Sequence, residues 1–120
     1  MTDAARKPVS QISMEMKELA ELVRLGKLRP HQYREGTVTL SNMGIYDIKQ
    51  FGAIINPPHS MIIAIGAAER RSYSVNGGDA GASVISATDS FDHRAMDGTD
   101  GGALMQTFRD VIESPSKFKW

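Results

Sequence analysis

Met61-Ile-Ile-Ala-Ile65 is an unbroken run of five apolar residues. Pro57-Pro58 lies just upstream and stops any regular element there. A short continuous apolar run bounded in this way reads as a strand buried on both faces. Such a strand must sit inside a sheet with cover above and below it. The rest of the chain is therefore read for what could pair with it and what could cover it.

Two segments carry helical spacing. Ile12, Met16, Leu19, Ala20 and Val23 make one apolar stripe, with Ser10 as N-cap and Gly26 as C-cap. Glu15, Lys17, Glu18, Glu21 and Arg24 are expected to face water. Near the end, Leu104, Phe108, Val111 and Ile112 share a face, Asp100 suits the positive end of a helix, and Pro115 follows the stop.

Between the helices, Leu28, Pro30 and Tyr33 suggest an anchored turn. Residues 37–41, Thr-Val-Thr-Leu-Ser, alternate and are β-branched, so they read as a strand broken by Asn42-Met43-Gly44. Phe51 to Asn56 is apolar. Ser72–Val75 and Ala82–Phe91 flank Asn76-Gly77-Gly78, a hairpin signal whose loop can exceed two residues.

The order helix, strands, helix indicates a two-layer α+β fold, a mixed β-sheet covered by helices. Two long helices are few for so many apolar strand residues. The first helix also begins almost at residue 1. Both features point to a missing partner or to contacts between copies.

Composition narrows the function classes. The 120 residues fit one domain. Fourteen basic and fourteen acidic residues cancel, so nothing draws the chain to nucleic acid or to an anionic membrane. There is no cysteine, which excludes disulfides, thiolate nucleophiles and cysteine metal sites; any thiol must arrive on a substrate. The longest uncharged stretch, 51–68, contains Asn56, Pro57, Pro58, His59 and Ser60 and is not a membrane span. The N-terminus lacks the apolar core of a signal peptide, so an intracellular soluble protein is expected.

The densest polar cluster runs from Asp89 to Asp100 around His93. A histidine exchanges a proton near neutral pH, and a nearby carboxylate such as Asp97 can orient the ring. Arg94 could pair with Asp92 or with Asp97. A solvated turn would look the same. Metal ligation by Asp89, Asp92, His93, Asp97 and Asp100 is the competing reading. The spacing matches neither a calcium loop nor a helical zinc pair, so no metal is expected. His31 and His59 read as loop histidines, although His59 could line a pocket. Gly77-Gly78 and Gly101-Gly102 read as turn and helix-entry glycines rather than a phosphate loop. Ser41 has no hydrolase elbow around it and reads as a strand-end residue bonding its own backbone.

Taken together, these segments resemble a known family. Asp92-His-Arg-Ala-Met-Asp-Gly98 resembles the Asp-His-Arg-x-x-Asp-Gly signature of the dihydrolipoamide acyltransferases of the 2-oxo acid dehydrogenase complexes. Gly36-Thr-Val-Thr-Leu-Ser-Asn-Met-Gly44, Ala53-Ile-Ile-Asn-Pro-Pro58 and Ala64-Ile-Gly66 resemble further family segments in the right order. The resemblance implies a chloramphenicol-acetyltransferase-like catalytic domain. Residues 1–120 would be its C-terminal half, without a lipoyl or subunit-binding domain.

The resemblance also implies a reaction, acyl transfer between dihydrolipoamide and coenzyme A. His93 would be the general base on the attacking thiol. Ser41 would donate to the oxyanion, Asp97 would hold the loop and histidine in place, and Asn42 would help shape the pocket. Coenzyme A would be a substrate and the lipoyl group would ride on a separate domain. The expected partners are copies of the chain, as a trimer or trimer-built core, and the other subunits of the complex. The expected compartment is the bacterial cytoplasm, or the mitochondrial matrix if the source is eukaryotic. The rival reading is a non-catalytic assembly fragment of the same family.

Overall fold

The computed structural model describes residues 1–117. The chain divides into two units, residues 1–36 with those from 107 on, and residues 37–106.

In the first unit, helix α1 spans Val9–Arg24. It starts earlier than the Ser10 cap expected from sequence. Pro8 is extended at φ −66° and ψ 154° and occupies the N-cap position. Its carbonyl accepts the first helical bond from Ile12 N–H at 3.1 Å. Ser10 therefore lies inside the first turn. At the other end Gly26 takes φ 64°. Its N–H reaches the Val23 carbonyl at 3.0 Å, and the Lys27 N–H reaches that of Leu22 at 2.9 Å. This crossed pair is a Schellman ending, and the left-handed residue it needs is a glycine.

The inward face of α1 also differs from the expected stripe. Ile12, Glu15, Leu19 and Leu22 are half-buried, whereas Met16 and Val23 are 56% and 59% exposed. Glu15 explains part of the rotation. Its carboxylate accepts Lys7 Nζ at 2.6 Å and Gln11 Nε2 at 3.1 Å. A paired carboxylate can turn inward where a bare one would stay in water. The expected turn near Pro30 is a single helical turn, α2, His31–Arg34.

The second unit is built on β1 (Val38–Asn42), β2 (Met61–Ile65) and β5 (Ala87–Phe91), in the order β1-β2-β5. β1 runs parallel to β2 and β5 antiparallel, so the sheet is mixed as expected. β2 is central, and Met61, Ile62, Ile63 and Ala64 are buried. β1 ends one residue later than the sequence suggests. Asn42 still pairs in register with Ile65, and the break falls at Met43.

β3 (Glu69–Val75) and β4 (Gly78–Val84) form a separate two-stranded sheet. Their loop is only two residues, shorter than the sequence allowed for. Asn76 and Gly77 take φ 50° and 80°. Two consecutive positive φ values match the twist of the flanking strands and close the hairpin directly. The expected strand Ala82–Phe91 is two strands. β4 pairs with β3 and β5 with β2, so the chain changes partner at Ile85-Ser86.

The segment between β1 and β2 is largely irregular and is fastened to the sheet by backbone. Ala67 N–H donates to the Ile48 carbonyl at 2.7 Å. Ser60 N–H and Oγ both donate to the Thr37 carbonyl, at 2.9 and 3.0 Å. The Pro57–Pro58 peptide is cis.

Helix α3 spans Gly98–Glu113. Leu104, Met105, Phe108 and Val111 are half-buried, while Ile112, expected on that face, is 49% exposed. In the first turn of α3, Gly101 is buried against Phe91 of β5. A Cβ at residue 101 would lie 2.6 Å from the Phe91 ring, so only glycine allows this approach.

Candidate active site

The site begins where β5 ends. Phe91 pairs in register with Met61, so the chain leaves β5 at the end of the sheet where β1 and β2 start. Asp92 anchors the exit. Its N–H donates to the Ser60 carbonyl at 2.8 Å, and its own carbonyl accepts Ala95 N–H at 2.8 Å and Met96 N–H at 3.1 Å. The Asp92 carboxylate accepts the Arg94 backbone N–H at 2.9 Å, and Arg94 Nε and Nη2 at 3.0 and 2.7 Å. This settles which aspartate Arg94 pairs with. The Arg94 hydrogen bonds hold the Asp92 carboxyl down at about 2.

His93 stands on this turn, exposed. Its ring packs against Phe91, with centroids 5.0 Å apart and planes tilted by 51°. Phe91 is in turn fixed by Gly101. Among the described residues, no hydrogen bond holds the His93 ring.

Asp97 does something else. Its Oδ1 accepts Thr99 N–H at 2.8 Å and Asp100 N–H at 2.9 Å, and Asp100 Oδ2 reaches back to the Asp97 N–H at 3.4 Å. Asp97 is the N-cap of α3, and it satisfies two amides the helix cannot. It holds the end of the histidine loop by fixing where the helix starts.

An open cavity of about 580 Å³ lies beside His93. One wall comes from residues 91–94, and the other from Ile55, Pro57, Pro58 and His59. From the sequence, His59 reads as a loop residue that could line a pocket, and the structure puts it on this wall. Its Nδ1 lies 2.6 Å from Thr39 Oγ1. Nothing in the sequence links residues 20 positions apart, so only the fold reveals this pair.

Ser41 and Asn42 are elsewhere. Ser41 is half-buried in β1 and pairs in register with Ala64, which pairs with Thr88. Asn42 Oδ1 accepts the Gly44 N–H at 2.8 Å, closing a local turn. Neither residue lines the His93 cavity, and nor does Asp97. Ser41 lies toward the far end of β1, away from the end where His93 leaves the sheet.

Asp89, grouped above with possible metal ligands, lies within β5 opposite Ile63. Neither carboxylate oxygen is exposed or meets a donor in hydrogen-bond geometry. Burial pushes this carboxyl above its usual range, offset in part by the Ser90 backbone N–H. Among the described residues, no three histidine, aspartate or glutamate side chains converge as a metal would require.

Residues 1–119 match the family of 2-oxoacid dehydrogenases acyltransferase (catalytic domain). The chain belongs to this family. Among acyltransferase relatives, it is 45% identical over 115 residues to a dihydrolipoyllysine-residue acetyltransferase component of pyruvate dehydrogenase complex from Zymomonas mobilis, covering 96% of this chain and 26% of that one. A mitochondrial component of the same description from Dictyostelium discoideum is 42% identical over 114 residues, covering 92% and 18%.

Two solved acyltransferase structures share the fold. The probable dihydrolipoamide acetyltransferase of Listeria monocytogenes superposes with TM-score 0.89 at 28% identity, covering 95% of this chain and 49% of that one. A truncated catalytic core of the 2-oxoacid dehydrogenase multienzyme complex from Thermoplasma acidophilum gives 0.77 at 27%, covering 96% and 50%. The chain thus spans about a quarter or less of these curated relatives and about half of these solved chains. The α+β, chloramphenicol-acetyltransferase-like fold expected from the resemblance is the fold of these cores. Among the described residues, no helix is long and apolar enough to cross a membrane.

Proposed function

We propose that residues 1–120 are the C-terminal portion of an acyltransferase catalytic domain that moves an acetyl group between coenzyme A and dihydrolipoamide. The observation that carries this reading is His93. In a chain of this family, the histidine of the Asp-His-Arg-x-x-Asp-Gly turn stands uncommitted at the wall of an open cavity.

The chemistry needs no enzyme nucleophile. His93 takes the proton from the attacking thiol. The thiolate forms a C–S bond to the thioester carbonyl carbon, and the carbonyl electrons move onto oxygen. Ser41 donates its hydroxyl hydrogen to that oxyanion. On collapse the original C–S bond breaks, and the leaving thiolate takes the proton back from the imidazolium. General-base help of this kind is worth about 10²- to 10⁴-fold, and one oxyanion donor on the order of 3 kcal/mol.

One chain keeps Ser41 and His93 apart, so the reading requires a site shared between copies. His93 comes from one subunit and Ser41 with Asn42 from its neighbour, in a trimer or a core built from trimers. Coenzyme A is a substrate, and the lipoyl group arrives on a separate domain. The other subunits of a pyruvate dehydrogenase complex are the partners, in the bacterial cytoplasm or the mitochondrial matrix. The names of the relatives support the acetyl group and the complex.

The test is acetyl transfer from acetyl-CoA to dihydrolipoamide by the purified chain. His93→Ala should reduce the rate by about 10²- to 10⁴-fold while the oligomer stays intact. Full activity in that variant would remove His93 as the base. An intact wild-type oligomer without turnover would favour a purely structural role.

A further inference from the structure

The cavity holds a second imidazole that the proposed mechanism does not use. His59 and His93 face it from different segments, 57–59 and 91–94. Thr39 Oγ1 and His59 Nδ1 lie 2.6 Å apart, a hydrogen bond in which either group can donate, depending on the ring's tautomer. With the hydroxyl as donor, Nδ1 is the acceptor. The neutral ring then carries its hydrogen on Nε2.

The other side chains of that wall, those of Ile55, Pro57 and Pro58, carry no donor. Pro57 and Pro58 have no backbone N–H. The Ile55 side chain is apolar. Across the cavity, the fork of Arg94 is turned onto Asp92. Among the described residues, Nε2 of His59 has no partner.

We infer that Thr39 fixes His59 as a substrate-contacting imidazole, whose Nε2–H faces the His93 cavity as a donor to an amide carbonyl of the thiol substrate. The inference rests on the transferase reading for the identity of that substrate. Both thiol substrates carry amide carbonyls, so the ligand chemistry is shared and experiment must assign the source. His59 thus acts in binding, while His93 moves the proton.

Steady-state kinetics on the assembled protein separate the two thiols. His59→Asn, whose amide matches only the Nδ1 position, should raise KM about tenfold for either coenzyme A or dihydrolipoamide, with kcat within about threefold. His59→Gln, whose amide nitrogen can stand where Nε2 stood, should recover KM to within about threefold. Thr39→Val should raise the same KM by freeing the ring. Unchanged KM for both thiols, or a fall in kcat alone, would overturn the inference.

Imidazole ¹⁵N NMR on the wild-type chain provides a readout that needs neither turnover nor a folded variant. The spectrum should show His59 protonated at Nε2 and not at Nδ1. Its ring resonances should move when one of the two thiols is added without the other. A ring protonated at Nδ1, or resonances indifferent to both thiols, would reject the inference. If the wild-type chain catalyses no transfer, the transferase reading fails on its own and the NMR result still decides the role of His59.

Discussion

Ser41 and His93 stand toward opposite ends of one three-stranded sheet. Ser41 is three residues along β1 from Val38, which shares its register with Met61 and Phe91, and His93 is two residues beyond Phe91 in the other direction. At about 3.3 Å per residue, the first stretch alone separates them by roughly 10 Å, and two strand spacings of about 4.8 Å add to it. A hydroxyl and an imidazole so placed cannot serve one carbonyl carbon within a single chain.

Mixing two dead variants tests this directly. His93→Ala and Ser41→Ala chains should each be inactive alone. Denatured together at equal amounts and refolded, they should recover about a quarter of wild-type acetyl transfer, since one neighbouring pair in four brings both intact residues together. A mixture as inactive as its components would place both groups in one subunit, or neither in the site.

Asp97 separates structure from chemistry by substitution. Alanine removes the cap from α3 and should cost about 1 kcal/mol in urea denaturation, with a lower transfer rate as the loop loosens. Asparagine caps as well as aspartate does. Asp97→Asn should therefore keep both the urea midpoint and the rate to within about threefold. A collapse of the rate with an unchanged midpoint would mean that the negative charge itself acts on His93.

Asp89 is a liability where it stands. Replacing it with leucine removes two unsatisfied oxygens from beside Ile63 and should raise stability at pH 7 by about 1–3 kcal/mol. The folded state holds this carboxyl above its ordinary value of 3.8, so its ionised form is the disfavoured one. The advantage of Asp89→Leu should therefore shrink as pH falls through the raised value toward 3.8. Denaturation midpoints measured across that range check this, and a difference that stayed constant or widened as pH fell would contradict it.

Asp92 has the opposite sign. Arg94 depresses its folded value to about 2 from an ordinary 3.8. The pair stabilises above the higher figure and stops doing so as acid carries the carboxyl through the lower one. Wild type should thus melt above Asp92→Asn near neutral pH, and the two melting temperatures should converge between about pH 4 and pH 2. Melts followed by circular dichroism across that interval provide the check, and parallel curves would contradict it.

The elements that were legible from sequence carry their own local cause. Met61–Ile65 reads as an inner strand, and both long helices announce themselves by spacing. The failures came from long-range competition. The face of α1 turned in part because Lys7 and Gln11 paired Glu15. The run Ala82–Phe91 looked like one strand because its two halves differ only in which strand they pair with. At the site, the motif singled out His93 but left Arg94 open between Asp92 and Asp97, and the structure pairs it with Asp92. Spacing could not tell that Asp97 serves a helix, or that His59 shares the cavity through Thr39. The distance between Ser41 and His93 follows from strand order, which no local pattern encodes.

The contact of Gly101 with Phe91 reaches further than packing. The missing Cβ lets the first turn of α3 press on a ring that itself lies against the His93 imidazole. A single methyl group added at residue 101 would push that ring aside and swing the imidazole off its aim. On the transferase reading, natural drift at this glycine would surface as lost turnover although its backbone lies behind the ring and outside the cavity.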